Sequence, residues 1–277
     1  MSTLFVVATP IGNLQELSPR AIDVLRNVPV VAAEDTRVSR KLLTNSDSKA
    51  RLISYNDNSP QGRLNELLQL LESGDIAMLS DAGTPGISDP GAALVSEAAE
   101  AGHTVSPIAG PSSVTAALSV SGFVADRFMF LGFLPRKTAE RRRTLSTYIT
   151  LPVTLVLLEA PHRLRDTLTD IAGVVPGRRL AVCRELTKLH EEIFRGSATE
   201  ALEHFTQPRG EFVIVIEPGE IEVTEITEEQ IAEAAITAIA SGLSGRDAVE
   251  QVMAATGAAR SRVYPAVLAA QSSLKKK

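Results

Sequence analysis

Residues 80–91, SDAGTPGISDPG, break an otherwise regular chain with three glycines, two prolines and the aspartates Asp81 and Asp89. An apolar run at 76–79 precedes them and reads as a buried strand; Ala92-Ala93-Leu94-Val95 follows and opens a helix. Open α/β sheets hold their ligands in loops at the carboxyl ends of parallel strands. An ordinary long connection is the other reading of this composition. Further strand ends carry reactive side chains: Glu34-Asp35-Thr36-Arg37, Glu159-Ala160-Pro161-His162-Arg163 and Arg184-Glu185-Leu186-Thr187-Lys188. With the loops 9–13 and 109–113 they would converge on one cleft. Small-residue loops there suit a flat, neutral-to-cationic ligand such as an adenosine with an amino-acid arm. Backbone groups would read the purine, and Asp81 or Asp89 could meet an ammonium or sulfonium. Spacing alone leaves other ligands open. A nucleotide-phosphate cradle is excluded more firmly. The first loop, ATPIGN, has one glycine where a dinucleotide fingerprint needs three, and no Gly-Lys-Ser/Thr occurs.

The elements that position these loops follow from periodicity. Strands are expected at 4–8, 30–33, 51–55, 76–79 and 104–108. A helix starts at Ser18-Pro19, with serine as N-cap and proline in the first turn. Leu64, Leu67, Leu68 and Leu71 mark an amphipathic helix, and Ser112-Ser113 open another at 114–120. Alternating strands and helices imply a parallel sheet covered on both faces. A second α/β unit is expected from 121 to 220, with strands at 128–131, 153–158, 180–183, 192–195 and 212–216, a basic helix at 137–148 and a mixed sheet. The expected fold class is therefore α/β, with domains at 1–120 and 121–220. An alanine-rich module of three short helices at 225–277 follows, and Thr227 caps its first helix. That module reads equally as helix-turn-helix-like, with Arg246, Arg260 and Arg262 meeting phosphates, or as a packing appendage.

Composition narrows the function classes. Across 277 residues, 44% are hydrophobic and 22% charged, as in ordinary globular proteins. Cys183 is the single cysteine, so neither an intrachain disulfide nor a cysteine-built zinc site is available. The four histidines lack metal-ligand spacing, and no metal is expected. No apolar stretch approaches the ~20 residues that cross a bilayer. The start lacks a basic n-region and meets Pro10 and Gly12 too soon for a signal peptide, which makes the cytoplasm the expected compartment. A net charge of −5 argues against a non-specific nucleic-acid coat. Against that background, Arg136, Lys137, Arg141, Arg142 and Arg143 cluster, and the chain ends in Lys275-Lys276-Lys277. Such patches suit a partner touched at a few phosphates, or are a solvated helix face and tail.

Six stretches occur in order: VATPIGNLQELS, AAEDTR, SDAGTPGISDPG, GFLPRK, EAPHR and RELTKLHEE. Together they resemble the tetrapyrrole methylase superfamily and, within it, the branch that methylates small-subunit ribosomal RNA. The resemblance runs from Leu4 to about Glu217. It implies a two-domain methyltransferase that binds S-adenosyl-L-methionine between its domains, works as a homodimer, and modifies the ribose 2′-hydroxyl of a decoding-centre cytidine in 16S ribosomal RNA. Carried over by position, the cofactor site falls on Pro10, Ile11, Asp81, Gly83, Thr84, Ser112, Ser113, Leu158 and Leu186. On this reading Asp81 and Gly83-Thr84 face the cofactor, and Ile87 to Pro90 restart the helix. The sequence departs from the family at Gly86, more often leucine, at Leu158, more often aromatic, and at Cys183, more often alanine. Tetrapyrrole-methylating members carry a G-x-G-P-G-D first turn and a Gly-Asp-Pro central loop; ATPIGN and Ser80-Asp81-Ala82 stand here instead, which favours RNA.

A ribose hydroxyl is a poor acid and must lose its proton as the new bond forms. Asp35 or Glu159 is the expected acceptor, with Lys188 beside carboxylates to hold the oxygen or lower its pKa. Arg37, Arg136, Lys137, Arg141, Arg142, Arg143 and Arg163 are the expected RNA contacts. Each of these groups reads alternatively as a structural ion pair. A tetrapyrrole C-methyltransferase and a ribosome-binding protein without catalysis are the competing functions.

Overall fold

The computed structural model describes residues 2–56, 58–219 and 227–274. The lysine tail 275–277 and the start of the C-terminal module, 225–226, lie outside them. The chain divides into two compact units, Met1–Glu220 and Ile221–Lys277.

In the first unit, β1 (Thr3–Val7), β2 (Val30–Ala33), β3 (Arg51–Ser54), β4 (Ile76–Leu79) and β5 (Thr104–Ile108) form a parallel sheet in the order β3-β2-β4-β1-β5. Its two faces carry separate cores because both are covered. On one, α1 (Pro19–Asn27) and α2 (Thr36–Asn45) bury Leu25, Leu42 and Leu43 against Val7, Val31 and Leu79. On the other, α3 (Gln61–Ser73) and α4 (Ala92–Glu100) bury Leu67, Leu71 and Leu94 against Leu4, Ile76 and Met78. Burial on both sides explains why β2 and β4 read as uninterrupted apolar runs.

The second sheet runs β6 (Phe128–Phe133), β7 (Thr154–Glu159), β10 (Phe212–Ile216), β8 (Arg179–Arg184), β9 (Glu192–Ser197), with β6 parallel to β7 and the other pairs antiparallel. It is mixed, as expected. Between its strands lie α6 (Thr138–Tyr148), α7 (Leu164–Val174) and α8 (Ala198–His204), which pack on one face through Leu145, Leu168, Ile171 and Ala201. Its other face receives α5 (Ser113–Ser121) through Val114, Ala117 and Leu118, together with Ile11 of the first loop. The helix expected to close the first domain thus packs on the second sheet. The chain changes layers at the Gly110-Pro111 turn and not at residue 120. This face is where the loops of both sheets meet.

Three helices, α2, α7 and α8, extend the expected set. Polar residues dominate α2, and Asp35, read above as a possible base, is its N-cap, accepting from the Arg37 backbone at 2.8 Å. The second unit holds α9 (Glu228–Ala240), α10 (Gly245–Thr256) and α11 (Arg260–Leu274) around Ile231, Val249, Val252 and Val263. Thr227 caps α9 in a reciprocal capping box with Gln230. Arg262 pairs with Glu228 at 2.7 Å and Arg246 with Glu250 at 3.6 Å, so both cations are engaged within the module. No helix among the described residues is long and apolar enough to cross a membrane.

Candidate active site

At the carboxyl ends of β1 and β4, where the strand order reverses, Thr9 and Gly83 pair through two backbone hydrogen bonds of 2.8 and 3.1 Å. The Thr9 hydroxyl reaches the carbonyls of Ser80 and Gly83 as well. Asp81 is tied in a different direction. Its carboxylate accepts from the Asp35 backbone at 3.0 Å, and its own N–H donates to Glu34 at 3.2 Å. Thr84 reaches the Pro111 carbonyl. The first half of the central loop is therefore the part that knits neighbouring loops together.

The loop also borders a cavity of about 310 Å³. Ala82, Ile87, Ser88 and Asp89 line it from the first sheet's side, with Ile11 and Ser113. From the second sheet come Phe133, Leu158, Glu159, Ala160, Pro161, Cys183, Leu186, Glu211, Phe212 and Val213. Of the nine expected cofactor residues, Ile11, Ser113, Leu158 and Leu186 converge here; Pro10, Asp81, Gly83, Thr84 and Ser112 are not in the lining. Within the central loop, Ala82, Ile87, Ser88 and Asp89 are in the lining, while Asp81, Gly83 and Thr84 make the bonds to Asp35, Thr9 and Pro111 just described. Among the described residues, three of the four non-glycine residues with positive φ, Ser88, Glu185 and Thr187, belong to loops around the cavity. Backbone strain of this kind gathers at binding and catalytic sites.

Close approach fixes one junction. A Cβ on Gly12 would stand 2.4 Å from Cγ of Lys188, 2.8 Å from Thr187 Oγ1 and 2.9 Å from the Leu186 carbonyl. Only glycine lets the first loop lie on the loop after β8. In that second loop, Thr187 Oγ1 is buried without a hydrogen-bond partner. Lys188 Nζ lies 3.0 Å from Glu185 and 2.9 Å from Glu211. Burial works against the ammonium, but the hydrogen bonds it donates to Glu211 and Glu185 outweigh that and raise the lysine's pKa. Burial likewise pushes Glu185 up, and the Glu211 N–H and Lys188 more than reverse this.

The remaining candidates have structural duties. Glu159 is buried, and its oxygens accept from Thr167 Oγ1 at 2.6 Å and the Ala160 N–H at 2.9 Å, with Arg163 Nε at 3.4 Å. Asp35 is held at about 2, well below its usual range, chiefly by the Arg37 side chain. Both carboxylates are poorly placed to accept a substrate proton. The basic cluster divides too. Arg141 is buried, pairs with the buried Asp170 at 2.5 Å and donates to the Arg136 carbonyl, so it is unavailable to RNA. Arg163 donates to the carbonyls of Leu134 and Pro135, which likewise removes it from the RNA set. Arg37 is exposed but clasps Asp35. Arg136, Lys137, Arg142 and Arg143 remain exposed. Lys137 pairs with Glu140 and Arg142 with Asp170, while Arg136 and Arg143 have no acidic partner among the described residues. The burial of Arg141 was readable in principle, since it lies four residues before the buried Leu145 on one helical stripe. Glu211, by contrast, carries no sequence signal of its own, and Phe133 none beyond its place in the GFLPRK stretch. Among the described residues no group of His, Cys, Asp and Glu could hold a metal.

The family model described as Tetrapyrrole (Corrin/Porphyrin) Methylases matches residues 3–202. The chain belongs to the tetrapyrrole methylase family. Within this methylase family its relatives include a Ribosomal RNA small subunit methyltransferase I from Synechocystis sp., 43% identical, covering 95% of this chain and 96% of that one. Another of the same name, from Thermotoga maritima, is 43% identical over 78% of this chain and 98% of its own. Among solved structures, a uroporphyrin-III C-methyltransferase from Thermus thermophilus complexed with S-adenyl homocysteine shares the fold. It has a TM-score of 0.56 at 18% identity and covers 82% of this chain and all of that one (100%). The methylase fold is thus common to proteins whose names point to different substrates.

Proposed function

We propose that the cleft binds S-adenosyl-L-methionine and that the chain methylates the ribose 2′-hydroxyl of a decoding-centre cytidine in 16S ribosomal RNA. The observation that carries the reading is the cavity itself. It joins strand-end loops of both sheets and has the Lys188–Glu211 pair at its edge. The lining suits the cofactor. Ile11, Leu158, Leu186 and Val213 would hold the purine on an apolar surface, in a volume within the ~300–1,000 Å³ usual for small-molecule sites. Ser113, in the first turn of α5, would serve the amino-acid arm; that helix has no side-chain cap of its own. Asp89 would face the positive charge. When bound, the cofactor supplies an electrophilic methyl group on a sulfonium.

The protein's own contribution is alignment and charge. The cavity walls would hold the reactants in line, which carries much of the catalysis in a displacement of this kind. Lys188, kept protonated by its two carboxylates, would stabilise the charge that develops on the ribose oxygen. Glu211, 75% exposed and part of the cavity lining, would accept the proton in place of Asp35 or Glu159. Arg136, Lys137, Arg142 and Arg143 would set the RNA by its phosphates. The relatives' names support ribosomal RNA as the substrate class. A homodimer in a reducing cytoplasm completes the reading.

The test is to offer the purified protein labelled cofactor with 30S subunits or with uroporphyrinogen III. Label in 16S RNA is expected. Label in the porphyrinogen would overturn the RNA assignment, and absence of cofactor binding in calorimetry would turn the reading to a non-catalytic ribosome-binding protein.

A further inference from the structure

The strand β6 contains an irregularity that places an aromatic ring where strict alternation would not. Phe128, Met129 and Phe130 pair in order with Thr154, Leu155 and Val156, but the next pair is Phe133 with Leu158. One extra residue has been inserted. Met129 and Leu131 pack in the core beneath α6 and α7, whereas Phe130, Val156 and Leu158 belong to the opposite face, with Ile11 and Leu186. Uninterrupted alternation would send Phe133 after Met129 and Leu131. The bulge turns it to the cleft instead, where it lines the cavity. Gly132 makes the turn at φ +58°, and a Cβ there would stand 3.0 Å from Ser88 Oγ. Bulges of this kind re-aim side chains next to active sites.

The ring so placed is 54% exposed, and across the lining Ile87 is 51% exposed. Leu134, directly after it, is buried, and Arg163 fastens the carbonyls of Leu134 and Pro135. The exposed Arg136 and Lys137 follow two and three residues beyond Leu134. An exposed ring on a pinned turn, bordered by cations, is the arrangement that holds single-stranded nucleic acid, bases stacking on the ring while cations meet phosphates.

We infer that Phe133 is the stacking platform for the base of the nucleotide whose ribose enters the cleft, and that Arg136 and Lys137 hold its flanking phosphates. This deepens the RNA reading above and rests on it. The ring belongs to the substrate and not to the cofactor.

The experiment compares the full-length protein with Phe133→Leu and Phe133→Trp on 30S subunits, with cofactor affinity measured separately by calorimetry. Leucine keeps the apolar bulk and removes the π face. It should lower kcat/KM for 30S subunits roughly tenfold to a hundredfold, the range set by base–aromatic stacking, mainly through KM. Cofactor affinity should stay within about twofold of the unaltered protein, and tryptophan should restore most of the lost activity. A leucine variant as active as the original, one that loses cofactor affinity in proportion, or a tryptophan variant as poor as leucine would each overturn the inference. If the unaltered protein transfers no methyl group to 30S subunits, the RNA reading itself has failed and this inference falls with it.

Discussion

Burial alone would lower the pKa of Lys188, yet carboxylates 2.9 and 3.0 Å from its ammonium more than offset it and raise that pKa. Lys188→Ala should therefore lower kcat by roughly 10²–10³, as removal of one preorganised donor does elsewhere. Cofactor affinity should survive, because the lysine is not part of the cavity lining. Single-turnover kinetics and calorimetry separate the two effects, and an alanine variant with undiminished kcat would remove Lys188 from the chemistry. Arg141 shows how residue type can mislead. Five cations in eight positions invite a phosphate site, but one of them is the buried partner of Asp170. Asp170→Ala would leave that guanidinium inside the protein without its carboxylate, at a cost of about 3–5 kcal/mol in urea unfolding. A loss below about 1 kcal/mol would mean that Arg141 finds another outlet.

At the scale of elements, the strands were legible because sheets covered on both faces demand uninterrupted apolar runs, as at Val30–Ala33 and Ile76–Leu79. The α2 helix was not, since Asp35 and Arg37 serve equally as a cap with its partner or as a reactive pair. Register is set by the neighbouring strand, so no property of Phe128–Phe133 alone announces the bulge. Asp35 offers a direct check of its capping role. Its folded pKa, about 2, lies below the ordinary 3.8. A depressed carboxylate stabilises the fold above its unfolded pKa and loses that contribution as pH falls through the folded value. The melting temperature of Asp35→Asn should thus lie below that of the unaltered protein by a constant margin from neutral pH to about 5, then converge with it as pH falls from 4 to 2. A margin independent of pH would contradict the ionised cap.

On the scale of the molecule, a parallel sheet and a mixed sheet present their loops to one cavity, and membership of the tetrapyrrole methylase family accounts for that plan. The cleft was legible as a convergence of strand ends, and four expected cofactor positions do line it. The bonds that tie the central loop to its neighbours were not legible, because Thr9 and Asp35, which make them with Gly83 and Asp81, lie more than forty residues away in sequence. The Thermotoga relative matches over 78% of this chain yet 98% of its own length, so the shared name does not require every segment present here. Substrate choice then rests on the cleft and the cations beside it. The most direct test is mass spectrometry of 16S RNA fragments after 30S subunits have reacted with the protein and S-adenosyl-L-methionine. The account predicts one added methyl on the ribose of a single decoding-centre cytidine, appearing roughly 10²–10³-fold more slowly when Lys188→Ala replaces the unaltered protein. A methyl group on a base, or on no nucleotide at all, would contradict it.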